Sequence, residues 1–375
     1  MSESVDKLQE AEVVFWLKQA LRDKDLKGRL VKDILVDADP SYLRSKFRRH
    51  LEPTGTIWIS DRRPDLVCNL VDNSTELLVA FEVKAHSDHE KGIVQASRYR
   101  YGVHESYLCI PTNSGKTPKW LRDAAAKNGV GLIRVSNNDY ELEIEPEYPL
   151  PDPKILLITQ RYLLGEKSAR SLCMNRPLHY AAALIAFTYE ESPKEALINQ
   201  WGIKGSSIKH SISGAETLGL LMADGQATIK GRAYAEILKL LGFDFSHSRY
   251  LTKSRRRLAK DAPGFAAVLR SILLDHPVVD LIIHVLADAG GTPISADKLA
   301  EKASLIDEGM ARAAFGMPPI LGETWQIKSF TRFNLKAAMY DVGLLDSPLS
   351  EQTNYDPKND LWQLRTICGI PDLSS

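Results

Sequence analysis

Asp65-Leu66-Val67-Cys68-Asn69-Leu70-Val71-Asp72-Asn73-Ser74-Thr75-Glu76-Leu77-Leu78-Val79-Ala80-Phe81-Glu82-Val83-Lys84 is the stretch whose reading decides the fold. Two apolar, strand-like runs flank Asp72-Asn73-Ser74-Thr75, which is turn chemistry, so the segment reads as a β-hairpin. A four-residue loop pairs Val71 with Glu76, and counting back along the ladder sets Asp65 opposite Glu82. Strand side chains alternate, so Glu82 and Lys84 share one face while Leu77, Val79, Phe81 and Val83 share the other. Opposed β-carbons lie ~5 Å apart, a spacing at which like charges destabilise a hairpin. A divalent cation resolves that conflict, because hard oxygen ligands at this separation suit Mg²⁺. Lys84 adds a positive charge that can hold or help deprotonate a water on the metal.

Pro64-Asp65 followed by Glu82-Val83-Lys84 resembles the signature of the PD-(D/E)xK nuclease superfamily, the restriction-endonuclease-like fold. Further along, Gln95 and Tyr99 stand i, i+4 on one helix face, similar to the glutamine-x-x-x-tyrosine helix of several branches of that superfamily. That resemblance implies Gln95 near the site with Tyr99 supporting it, and an acid on the first helix. Residues 5 to about 24 read as this helix, with Val13, Val14, Leu17, Ala20 and Leu21 on one side. Glu10 falls in the middle of that side, where an unpaired carboxylate is costly, and is the candidate. Glu12, nearly opposite, stays the alternative, and either glutamate can be read as an ordinary acid favoured at a helix N-terminus.

The implied chemistry is hydrolysis of DNA phosphodiester bonds, with RNA the lesser substrate. Asp65, Glu82, the Val83 carbonyl and Glu10 would hold Mg²⁺, for which Mn²⁺ would substitute. Lys84 would orient the attacking hydroxide and Gln95 would position water or phosphate. One such site cuts one strand, so a symmetric homodimer is an expectation. Restriction, phage or plasmid defence and transposition are the settings the resemblance suggests. A non-catalytic DNA-binding regulator that keeps the nuclease fold as scaffold is the other reading.

At 375 residues the chain is long enough for two or three domains, and its 44% hydrophobic and 26% charged composition is that of an ordinary globular protein. Lys and Arg number 48, as do Asp and Glu, so attraction to phosphate must come from local patches. Four scattered cysteines, Cys68, Cys109, Cys173 and Cys368, form no C-x-x-C pair and suit a reducing interior. No basic, apolar leader opens the chain and no run nears the ~18 apolar residues of a membrane helix, so a cytoplasmic protein without membrane contact is expected. Ser114-Gly115-Lys116-Thr117 follows a strand, but Ile110 stands where a nucleotide-binding loop needs glycine, so no nucleotide cofactor is expected. His86 and His89, spaced i, i+3, read as solvated loop histidines, with a role near the phosphate the less favoured option.

Residues 1–145 alternate helix and strand as an α/β nuclease-like domain. Residues 42 to 51 and 119 to 127 read as helices, and residues 56–59, 106–111, 131–135 and 140–144 as strands. Four prolines between Pro146 and Pro153 mark a semi-rigid linker, so residues 146–172 are taken as linker and connecting segment. Residues 173–245 then read helix, helix, helix, hairpin. Pro193 opens the second helix, Gly202 closes it and Asp224-Gly225 makes the turn. That order resembles a winged-helix domain, and residues 246–375 offer a basic helix and a second such copy, with its third helix over residues 330 to 342.

A winged helix sets its third helix in the major groove. Ser206, Ser207, Lys209, His210 and Ser213 there suit phosphate and base-edge contacts. Arg249, Lys253, Arg256, Arg257 and Lys260 recur as a basic helical stripe, to be weighed as a phosphate contact or a solvated face. Arg44, Lys46, Arg48 and Arg49 form a shorter patch.

Overall fold

The computed structural model describes residues 9–23, 25–53, 56–59, 61–72, 75–86, 88–112, 115–137, 139–147, 150–174, 177–222, 224–251, 258–319, 324–347 and 354–365. The chain divides into two compact units, Met1–Gln160 and Arg161–Ser375. It is an α/β protein whose strands lie mainly in one mixed six-stranded sheet.

The first unit runs α1 (Glu10–Asp23), β1 (Leu30–Val36), α2 (Pro40–Arg44), α3 (Arg48–Leu51), β2 (Leu66–Asp72), β3 (Thr75–Val83), α4 (His89–Tyr99), β4 (Glu105–Pro111), α5 (Lys119–Lys127), β5 (Gly131–Ser136) and β6 (Asp139–Ile144). The strands lie in sequence order, antiparallel from β1 to β3, parallel from β3 to β5 and antiparallel again to β6. Helical crossovers α4 and α5 make the parallel pairs possible, since a parallel connection must return the chain to the same end of the sheet. One face of the sheet, with Cys68, Val79, Phe81, Tyr107 and Ile133, is covered by Val13, Val14, Leu17 and Leu21 of α1. The opposite face meets α4, where the Ser106 hydroxyl donates to the Ala96 carbonyl.

Several expectations need correction here. Residues 42 to 51 are not one helix: Ser45 is extended at φ −72°, ψ 157°, and its hydroxyl donates to the Tyr42 carbonyl, which ends α2. Residues 56–59 form no strand. Ile57 gives its N–H to the Asp37 carboxylate and Ile59 makes only a bridge with Arg62. Strand β1, Leu30–Val36, was not anticipated, because Lys32-Asp33 interrupts its apolar run and its ladder carries an irregularity between Val31 and Asp33. The connecting segment is largely α6 (Pro153–Met174), which opens with Pro153 at its start and with the Asp152 carboxylate accepting from the Lys154 and Ile155 N–H groups. Asp152 N–H also reaches the Tyr101 carbonyl, and the space beside Gly102 is filled by Ile155 and Thr159, so the division between units falls inside α6 rather than at residue 145.

In the second unit α6 is followed by α7 (Pro177–Tyr189), α8 (Pro193–Asn199), α9 (Ser206–Thr217), α10 (Ile229–Leu240), α11 (Leu258–Asp261), α12 (Pro263–Leu274), α13 (Pro277–Asp288), β7 (Ile294–Ser295), α14 (Ala296–Ile306), α15 (Glu308–Phe315), β8 (Gly316–Met317), β9 (Gln326–Ile327), a π-helical turn Phe330–Leu335, α16 (Lys336–Asp341) and β10 (Leu361–Trp362). A single apolar core runs from Leu178 to Trp362, so the described residues of the two expected modules, 173–245 and 246–375, share one interior. After α9 the expected hairpin is reduced to one bridge, Leu221 with Ala227, because the Thr228 hydroxyl already caps α10. Farther on, β7 pairs with β10, and Leu345 bridges Leu364 beside it. A buried network fastens that corner: the Lys336 ammonium donates to Asp360 Oδ1 at 2.5 Å, and Tyr355 and Trp362 donate to Oδ2. Among the described residues no helix is long and apolar enough to cross a membrane.

Candidate active site

The ladder pairs Val71 with Glu76 and Leu66 with Phe81, the register read from the sequence, and Asp72 pairs with Thr75 to tighten the turn by one step. Asn73 and Ser74 lie outside the described residues. One step beyond Leu66, the Asp65 N–H donates to the Phe81 carbonyl at 3.1 Å and its own carbonyl accepts from the Asp37 N–H. Asp65 is therefore pinned by its backbone on both sides. Its Oδ2 accepts from the Val83 N–H at 2.6 Å, and its Oδ1 accepts from the hydroxyl of Tyr42 on α2.

Glu82, only 2% exposed, stands opposite. Its Oε1 accepts from the Lys84 ammonium at 2.7 Å, and its Oε2 lies 2.5 Å from the Tyr99 hydroxyl. That hydroxyl is also 2.8 Å from the Arg63 carbonyl. A phenol has one proton to give, and the carboxylate is the stronger acceptor. Lys84 N–H is held by the Cys109 carbonyl, and its ammonium meets Glu10 Oε1 at 3.7 Å. Gly92 of α4 lets the helix lie on the lysine stem, for a β-carbon there would fall 2.9 Å from Lys84 Cγ and 2.7 Å from Leu108 Cδ1.

Burial raises the Asp65 carboxyl well above the usual carboxylate range, and the facing Glu82 raises it further; Lys84, Tyr42 and the Val83 N–H oppose this. Burial also raises Glu82, against the pull of Lys84 and Tyr99. For Lys84 burial acts to lower the pKa, but Glu82 and Asp65 outweigh it and the net shift is upward. Lys84 thus holds its proton at neutral pH and serves as a fixed positive charge rather than as a base.

Tyr99 meets Glu82, the supporting place that the resemblance implies, and Glu10 rather than Glu12 is the acid that reaches Lys84. Gln95 is half-buried on α4, and its Oε1 is buried with no hydrogen-bond partner among the described residues. His89 is half-buried at the start of α4 and burial lowers its pKa, whereas His86 is exposed. Sequence reasoning missed Tyr42, and no local signal ties it to a residue 23 positions away. It also missed the ion pair of Arg63 with Asp37 at 2.5 Å, which stiffens the approach to Asp65.

The expected metal set fits only in part. Among the described residues no three His, Cys, Asp or Glu side chains are grouped to hold an ion, and Glu10 meets the carboxylate pair through Lys84. Asp65 and Glu82 nevertheless supply four hard oxygens, each accepting one hydrogen bond and keeping lone-pair capacity. That donor chemistry suits Mg²⁺ or Mn²⁺ completed by water.

In the second unit Lys209 and Ser213 are exposed on one face of α9, with Ser207 and His210 half-buried. Ser206 begins this helix. Only the two ends of the basic stripe fall among the described residues: Arg249, stacked on Tyr250, lies in a 3₁₀ helix Phe245–Leu251, and exposed Lys260 lies in α11. Lys253, Arg256 and Arg257 lie outside the described residues. No protein-family model and no curated protein matches the chain.

Proposed function

We propose that the chain is a Mg²⁺-dependent endonuclease that hydrolyses DNA phosphodiester bonds. The observation that carries this reading is charge imbalance: half-buried Asp65 and buried Glu82 share the single ammonium of Lys84, and exposed Glu10 adds a third acid 3.7 Å from it. Folding alone gains nothing from a surplus of buried negative charge. Asp65 and Glu82 would hold a divalent cation that would neutralise that surplus and supply Lewis-acid chemistry for the phosphate.

The chain's own residues do the rest. Tyr42 and the Val83 N–H aim Asp65, and Tyr99 aims Glu82. Lys84, protonated and anchored by its backbone to Cys109, offers its charge to the non-bridging oxygens and orients the nucleophile. Gln95, with an unmet Oε1, is suited to hold water beside them. An αβββαβ order around a mixed sheet supports the restriction-endonuclease-like fold for the first unit. For the second unit, α13, β7, α14, a third helix and the strip β7–β10–Leu345 support a winged-helix module, and α7, α8 and α9 support another. DNA targeting through α9 belongs to the same proposal.

Supercoiled plasmid incubated with Mg²⁺ or with EDTA tests it. Nicking is expected only with Mg²⁺ (or Mn²⁺), and Lys84→Ala should lower its rate by about 10²–10³-fold. Retarded DNA with no nicking by either protein would instead establish the regulator reading.

A further inference from the structure

Beyond the carboxylate pair, α4 ends at Arg98-Tyr99 and is followed by Arg100-Tyr101, and α5 ends at Lys127 and is followed by Asn128. These two ends, with Asp61, enclose an open cavity of about 570 Å³. Arg98, Arg100 and Lys127 line it against one acid, Asp61, in a chain whose overall charge is zero. The arginines are held in place. Arg98 Nη1 lies 3.2 Å from Asp61 Oδ2, and Arg100 donates to the Asn128 carbonyl with its guanidinium filling the space a side chain at Gly129 would take. Lys127 has no ion pair among the described residues. Carbonyls at a helix end attract cations, and Arg100 already meets that need at the end of α5. Arg98 and Lys127 are surplus to it, and Tyr101, 61% exposed, offers a ring face beside them.

We infer that this cavity binds the backbone phosphates of a DNA strand next to the scissile position. Fixed guanidinium forks, a free ammonium and an exposed aromatic ring are the chemistry that holds a nucleotide chain without reading its sequence. Connection to the carboxylates is direct in the chain: Tyr99, between Arg98 and Arg100, meets Glu82. The inference rests on the nuclease reading but not on catalysis.

The test is therefore made in EDTA with the full chain and a short DNA duplex. Amine-reactive footprinting should show Lys127 protected by DNA while exposed Lys119 and Lys358, outside the cavity, are not. The double variant Arg98→Gln/Lys127→Gln should bind about tenfold more weakly, and its slope of log affinity against log salt should be shallower by about 2, as for two lost phosphate contacts. A retarded duplex with Lys127 still reactive, or an unchanged salt slope, overturns this site and leaves the nuclease proposal standing. Protection of Lys127 in a protein that never nicks plasmid supports this site and removes the catalytic reading. Absence of any DNA binding removes both.

Discussion

Glu82 on β3 and Glu105 on β4 are 2% and 0% exposed on neighbouring strands of one sheet, yet their surroundings differ in kind. Glu105 is met by Arg29 through two parallel bonds of 2.6 and 2.8 Å, with the Tyr107 hydroxyl on the same carboxylate. One negative charge faces one positive charge, and no further ligand is called for. Around Glu82 the acids outnumber the single ammonium, and the carboxyl groups of Asp65 and Glu82 are both pushed upward. Burial alone does not mark a site; burial with uncancelled charge does. Lys336 with Asp360 in the second unit is of the balanced kind.

That contrast can be broken most forcefully at the balanced pair. Arg29→Met leaves Glu105 buried without its counter-ion and should cost about 3–5 kcal/mol of unfolding free energy in urea. A loss below 1 kcal/mol would mean that Glu105 is protonated or wetted and that the two sites are alike. A smaller effect is expected at Tyr42→Phe, which removes the donor to Asp65 Oδ1 and should cost about 2 kcal/mol without metal. No change there would show that water replaces the phenol.

Asp65→Asn should act in the opposite direction, stabilising the metal-free protein by about 1 kcal/mol because it removes one of two facing charges. A pH series sharpens the point. With both carboxyl pKa values raised on folding, the folded chain keeps protons that the unfolded chain gives up. This pair therefore contributes fully below about pH 4, and its contribution is lost as pH rises through the raised values. Thermal unfolding in EDTA should show that decline in the parent protein and a flatter one in Asp65→Asn. An identical decline in both would place the titrating groups elsewhere.

Local patterns made much of this legible. The hairpin register could be read because shifting it by one residue would turn the apolar face outward, and Gln95 and Tyr99 could be set on one helix face by spacing alone. Long-range partners could not be read. Tyr42 reaches Asp65 across 23 residues, and Arg29 reaches Glu105 across 76. Strand β1 was hidden because it pairs along only one edge and carries Lys32 and Asp33 in its middle. Prolines 146 to 153 resemble a linker until Asp152 is seen to cap the helix that follows. The strand was hidden by tertiary pairing, whereas the helix start carried a local signal, an aspartate before a proline.

Position 92 has the smallest side chain possible, and that is what brings α4 down onto the lysine arm. The reach of the Lys84 ammonium is thus governed by a missing methyl group on a different element. A survey that exchanged only charged residues would overlook it, although one added carbon there would press on the arm directly.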